Sequence, residues 1–192
     1  MIKADVRRPD ASPPEASAPD ASLVVRWLCH DMATPVSTLL TASELLGDTG
    51  DAEINALITA AIRKLSARLR LVRLALGTPG SSLTIAALEK VFAEALPDTP
   101  VTMSLDEADG PPVSQIAGAV LILSDLNRLV PVTVDGEGAR WPEGHRLPDA
   151  ALQALAGKDG DSARSGMIAL VADQNRKAGL VMDADAFGLR FS

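Results

Sequence analysis

The chain has 192 residues, a formal net charge of −7 and a pI near 4.8; hydrophobic residues make up 47% of it and aromatics only 3%, with no tyrosine. An aliphatic core is therefore available and global disorder is excluded, while the acidic balance argues against a general nucleic-acid binder, whose surface must neutralise phosphates. The lone cysteine rules out an intrachain disulfide framework or a thiolate metal site, and no apolar run approaches the length of about 18 residues that a membrane span requires.

In chain order, residues 1–19 are rich in Pro, Ala, Ser and Asp and read as a disordered leader without a signal core. Asp20 or Ser22 then caps a long helix over 21–47, whose apolar stripe runs through Val24, Leu28, Met32, Pro35, Leu39, Ala42 and Leu46. The short break at 47–51 sends a second helix, 51–76, back antiparallel. Its stripe (Ile54, Ile58, Ala61, Leu65, Leu69, Val72, Leu76) is widened by Leu57, Ile62, Leu71 and Leu74. Two helices cannot cover that much apolar surface on each other, so the pattern predicts a homodimeric four-helix bundle. The second helix also carries Arg63, Lys64, Arg68, Arg70 and Arg73 against Glu53, which reads as a solvated basic face.

After the break at 77–82 the pattern changes. A helix over 83–95, a strand over 99–105, a helix over 113–130 and a hairpin over 131–141 turning at Asp135-Gly136 are predicted. A short helix at 148–156, an Ala-rich helix at 162–178 opened by Asp161 or Ser162, and a closing strand–turn–strand follow. The expected fold class is α plus α/β: a helical hairpin over 20–78, then an α/β sandwich over 82–192.

One stretch breaks the local rules. His30 shares a helix face with Trp27, Thr34, Ser37 and Thr41, and apart from the tryptophan that face is small and hydroxylic. The imidazole should therefore point to water. Pro35 has no amide hydrogen, and its ring opposes the carbonyl of Asp31, so a bend is predicted one turn past His30. Broken local rules are expected where a site overrides them. A neutral imidazole is a nucleophile near neutral pH, and Asp31 offers an acceptor for a ring proton. No metal-ligand spacing surrounds it, and His145 falls in a predicted loop far along the chain. Cys29 reads as a small apolar helix residue, and Trp27 as either a bundle-end packing residue or a partner contact.

The run His30-Asp31-Met32-Ala33-Thr34-Pro35 resembles the H-box of two-component signalling, His-Asp/Glu-x-x-Thr-Pro. The wider stretch over 28–48 resembles the histidine phosphotransferases of the ChpT type from alphaproteobacteria. The resemblance implies a dimeric helical bundle followed by a degenerate histidine-kinase ATPase-like domain. It implies that His30 is the phosphoacceptor, with Asp31 as proton partner, Thr34 assisting at the phosphoryl group and Pro35 forming the kink. Trp27, Ser37, Leu40, Thr41 and Glu44 are then the expected partner-contacting positions. The implied partners are a second copy of the chain, the receiver domain of a hybrid histidine kinase, and response regulators. No cofactor is expected on this chain, the Mg²⁺ belonging to the receiver; neither nucleic acid nor membrane is an expected partner, and the expected compartment is the cytoplasm.

A sensor-kinase core is the competing reading. Its G-box needs Asp-x-Gly-x-Gly, so that backbone amides can approach phosphate. The nearest stretch, Asp135-Gly136-Glu137-Gly138-Ala139, has its glycines at the wrong offsets, and Asn127 lacks the paired-asparagine pattern. A third reading is a non-catalytic dimeric adaptor or inhibitor, which has no need of an exposed histidine beside a proline.

Overall fold

The computed structural model describes residues 19–46, 51–77, 83–105, 110–158 and 160–192. The leader over 1–18, the breaks at 47–50 and 78–82 and most of the 106–112 loop lie outside the described residues. Helix α1 (Ala21–Leu46) opens on Asp20, whose carboxylate accepts the Ser22 amide at 2.8 Å, and stays helical through Pro35. Helix α2 (Ala52–Ala75) opens on Asp51, which accepts the Glu53 amide at 2.8 Å. The two pack on each other as a hairpin.

The remaining helices are α3 (Ile85–Ala95), α4 (Val113–Leu126), α5 (Asp149–Leu155) and α6 (Ala163–Lys177). Thr84 and Ser162 cap α3 and α6 through their hydroxyls, which settles the start of α6 on Ser162 rather than Asp161. The strands are β1 (Val101–Ser104), β2 (Val132–Asp135), β3 (Gly138–Arg140), β4 (Met182–Ala184) and β5 (Gly188–Phe191). They form one mixed sheet in the order β1-β2-β3-β5-β4. β1 and β2 are parallel, in register from Val101↔Val132, with α4 as their crossover; the other pairings are antiparallel. Helices beside a small mixed sheet give the expected α plus α/β class.

Alternation sets the faces of the sheet. Val132, Val134, Ala139 and Leu189 point to the core, while Thr133 and Arg140 face out. Against the core face lies α4, buried continuously from Gln115 to Asp125 and apolar on nearly every side, as a central helix must be. α2 and α6 cover its other side. Two close approaches depend on glycine. A Cβ on Gly118 of α4 would stand 2.7 Å from Val171 Cγ1 of α6, and one on Gly166 of α6 would stand 2.5 Å from Leu23 Cβ of α1.

Three expectations change. α4 stops at Leu126 instead of 130, because Asn127 leaves the helical region (φ −150°, ψ 102°) and its side-chain oxygen accepts the Leu129 amide instead. The broad apolar face of α2 is partly covered within the chain: Ala67, Leu71, Leu74 and Ala75 are buried in the same core as α3 and α4. Only the outer positions, among them Leu57, Ile62 and Leu69, stay exposed. The basic run of α2 is not uniformly solvated either, since Arg68 is buried. Among the described residues, no helix is long and apolar enough to cross a membrane.

The β4–β5 turn is tied by Asp185, which accepts the amides of Phe187 at 2.8 Å and Gly188 at 2.9 Å and pairs with Arg190 at 3.2 Å. The Phe187 amide holds its carboxyl below the ordinary value; burial opposes this, and the Gly188 amide and Arg190 add to the lowering. A depressed folded pKa stabilises above the unfolded carboxylate's pKa of about 4 and loses that stabilisation as pH falls through the folded value. Asp185→Ala is therefore expected to lower the melting temperature at pH 7 and to have a much smaller effect at pH 2.5, as read by thermal unfolding at the two pH values.

Candidate functional site

The second to fourth turns of α1 hold the site. Trp27 lies inward, 6% exposed, with the Arg68 guanidinium carbon 5.9 Å from its ring centroid. The expected partner contact at Trp27 is thereby corrected: the ring fixes α1 to α2 and has almost no surface to offer. Three residues on, His30 is exposed, and among the described residues it has no hydrogen-bond partner.

Asp31 turns the other way, about a quarter turn around the helix, and its carboxylate is only 6% exposed. Arg68 grips it with two bonds, Nε to Oδ2 at 2.6 Å and Nη2 to Oδ1 at 3.2 Å. The same guanidinium reaches Asp125 of α4, Nη2 to Oδ1 at 3.6 Å. Each carboxylate holds one further, more exposed arginine: Arg128 at 3.5 Å from Asp31, and Arg164 of α6 at 2.9 Å from Asp125. The result is an alternating chain, Arg128–Asp31–Arg68–Asp125–Arg164, linking α1, α2, both ends of the α4 exit and α6. Asp31 is thus committed to arginines, and it makes no hydrogen bond to His30 among the described residues.

His30 stands at the edge of a cleft of about 630 Å³ between α1, the end of α4, α5 and the start of α6. Arg26, Asp31, Asp125, Arg128 and Arg164 share its walls. Thr34, Ser37 and Thr41 line a separate open groove of about 560 Å³ between α1 and α2, with Leu45, Ile54 and Leu57. Leu40 and Glu44 are exposed, and Pro35 borders a small cavity with Asp31, Arg68 and Arg128. So the H-box residues divide: His30 faces the arginine-lined cleft, and the hydroxyls face the apolar groove. Cys29 is exposed, not a packed core residue.

Among the described residues, no group of three or more His, Cys, Asp or Glu side chains could hold a metal ion. The Asp135–Ala139 stretch is the β2–β3 turn. Asp135 accepts the amides of Glu137 at 2.9 Å and Gly138 at 3.1 Å, and a Cβ on Gly138 would collide with the Leu189 carbonyl. Gly138 serves the close pairing of β3 with β5. His145 lies in the loop after β3, with its ring 6.4 Å edge-on from Trp141. No local pattern marks Arg68, Asp125, Arg128 and Arg164 as a group, because they come together from separations of 37 to 97 residues.

No protein-family model matches the chain, and no curated protein matches it. Among solved structures, one described as a bacterial phosphotransferase shares the fold, with a TM-score of 0.61 and 22% identity over 94% of this chain and 98% of that one.

Removing one member of a buried ion pair leaves an uncompensated charge, at a cost of about 3–5 kcal/mol. Arg68→Ala removes the cation shared by two buried carboxylates, leaving Asp31 only its long contact with Arg128 and Asp125 its bond to Arg164, so chemical denaturation should show a loss of roughly 3 kcal/mol. Arg70→Ala, at an exposed position two residues on, should change stability by less than about 0.5 kcal/mol.

Proposed function

We propose that this chain is a histidine phosphotransferase of the ChpT type, carrying a phosphoryl group between receiver-domain aspartates on His30. The observation that carries the reading is an exposed, unengaged imidazole at the first position of an intact His-Asp-x-x-Thr-Pro box, beside an arginine-lined cleft. The likeness in fold to a bacterial phosphotransferase supports it.

The chemistry needs little from this chain. An aspartyl phosphate on a receiver is a mixed anhydride. The imidazole lone pair attacks phosphorus in line; an N–P bond forms as the P–O bond to the carboxyl breaks, and the carboxylate leaves with the bonding pair. The proton on the second ring nitrogen passes to water. Transfer to a second receiver runs the same steps in reverse. The receiver brings its own Mg²⁺ and carboxylate leaving group, so this chain supplies a positioned nucleophile and a docking surface. Thr34, one turn beyond His30, lines the neighbouring groove instead of the cleft, so a receiver would meet it only by covering the α1 surface between the two. The alternative of a nucleotide-driven kinase core is disfavoured by the G-box-like stretch, which forms the β2–β3 turn with Asp135 holding the Glu137 and Gly138 amides and Gly138 packed against β5.

The bundle dimer belongs to the same reading. Val25, Val36 and Leu40 recur at helical spacing on an exposed face of α1, and Ile62 and Leu69 do so on α2. A second copy packed against this stripe makes four helices, with the α/β layer as a degenerate ATPase-like support. Partners would be a hybrid kinase receiver and response regulators in the cytoplasm.

Two experiments test this. When purified phosphorylated receivers are mixed with the chain, label should move to it and be acid-labile, and His30→Ala should abolish transfer while leaving the melting temperature unchanged. Label retained in that variant, or label drawn directly from ATP, overturns the reading. In sedimentation the wild-type chain should run as a dimer, and Leu40→Glu combined with Ile62→Glu as a monomer; a monomeric wild type contradicts the bundle.

A further inference from the structure

One end of the arginine–aspartate chain is loosely held. Asp31 already receives two bonds from Arg68, so Arg128 approaches a carboxylate whose charge is matched. Its contact is 3.5 Å, well beyond the usual 2.7–2.9 Å of a charge-assisted bond, and 61% of its side chain is exposed. Arg164, at the other end, keeps a full bond of 2.9 Å to Asp125. The chain has three guanidiniums and two carboxylates, which leaves one positive charge that no partner in it balances.

The root of Arg128 is fixed although its tip is free. The hydroxyl of buried Thr99 donates to the Arg128 carbonyl at 2.6 Å, and Asn127 ends α4 immediately before it. The guanidinium therefore swings from an anchored backbone position on the wall of the cleft that His30 enters. Its present tether is the carboxylate next to His30 in sequence. A phosphoryl group on a histidine nitrogen carries up to two negative charges and three acceptor oxygens, and a guanidinium fork matches that geometry. It outcompetes a carboxylate already neutralised by another arginine.

We propose that Arg128 is a phosphoryl-binding residue: it leaves Asp31 and engages the phosphoryl group that His30 carries, an inference that rests on the phosphotransfer reading. Asp31 then acts as the parking place for this cation in the unphosphorylated chain. Arg26, one turn before His30 on the same helix and in the same cleft, is the competing cation.

The test loads the full chain chemically with potassium phosphoramidate, which phosphorylates histidine without a receiver. The phosphohistidine signal in phosphorus NMR is assigned by its loss in His30→Ala, and its chemical shift is followed against pH. A bound guanidinium favours the dianion, so Arg128→Ala should raise the phosphoryl group's second pKa by about one unit, with Arg128→Lys restoring part of the difference. Arg70→Ala controls for net charge and should change nothing. An unchanged titration in Arg128→Ala, or a shift found only in Arg26→Ala, overturns the proposal. Receiver-to-chain transfer should also slow about tenfold in Arg128→Ala, as expected for losing one charged hydrogen bond. Because chemical loading bypasses the receiver, a shifted titration with no transfer from any receiver refutes the relay reading alone.

Discussion

Arg68 sits between two carboxylates that are each 6% exposed, and the relation of the hairpin to the rest of the molecule turns on it. Taking three charges out of water is costly, and such groups persist only when they neutralise one another in good geometry. Asp31 comes from α1, Arg68 from α2 and Asp125 from the last turn of α4. The three can meet only if the hairpin lies flat on the α4 side of the α/β layer with α1 rotated to one setting. Apolar contact is non-directional, whereas the buried charges need each other at hydrogen-bond distance, so they add the directional constraint on that rotation. Arg68 also lies against Trp27, so the same side chain fixes α1 by an aromatic contact one turn before the carboxylate.

That setting has a chemical consequence. Consecutive residues on a helix are turned by about 100°. Once Asp31 is drawn inward to Arg68, His30 is turned toward solvent and the cleft. The position after the histidine thus serves the scaffold, orienting its neighbour without touching it. Gly166 contributes from the other side, since only a bare Cα lets α6 come so close to Leu23 near the start of α1. The histidine is exposed by construction, on a helix held at two places.

The elements were largely legible in the sequence because their signals are local. Caps at Asp20 and Ser162, the alternation in β2, and the Asp135-Gly136 turn each depend on residues within a few positions. The class followed from them, and so did the exposure of His30, which needed only the polarity of its own helix face. What failed was pairing across distance. Asp31 read as a partner for the neighbouring histidine, and its true partner stands 37 residues away. Arg68 read as one of a solvated run, although it is the member of that run that the fold buries. Leu71 and Leu74 read as surplus apolar surface for a second copy, because nothing in α2 announces that α3 and α4 will cover them. Helix periodicity states which residues share a face and leaves open what that face meets.

The most direct measure of this account is a double-mutant cycle on Asp31 and Arg68, using Asp31→Ala, Arg68→Ala and the pair, with stability read by chemical denaturation. A shared, desolvated ion pair predicts strong non-additivity: the double variant should lose less than the two single losses combined, by about 2 kcal/mol or more. Additive losses, within about 0.5 kcal/mol, would mean that the two groups do not hold each other in solution and that the orientation of His30 has another cause.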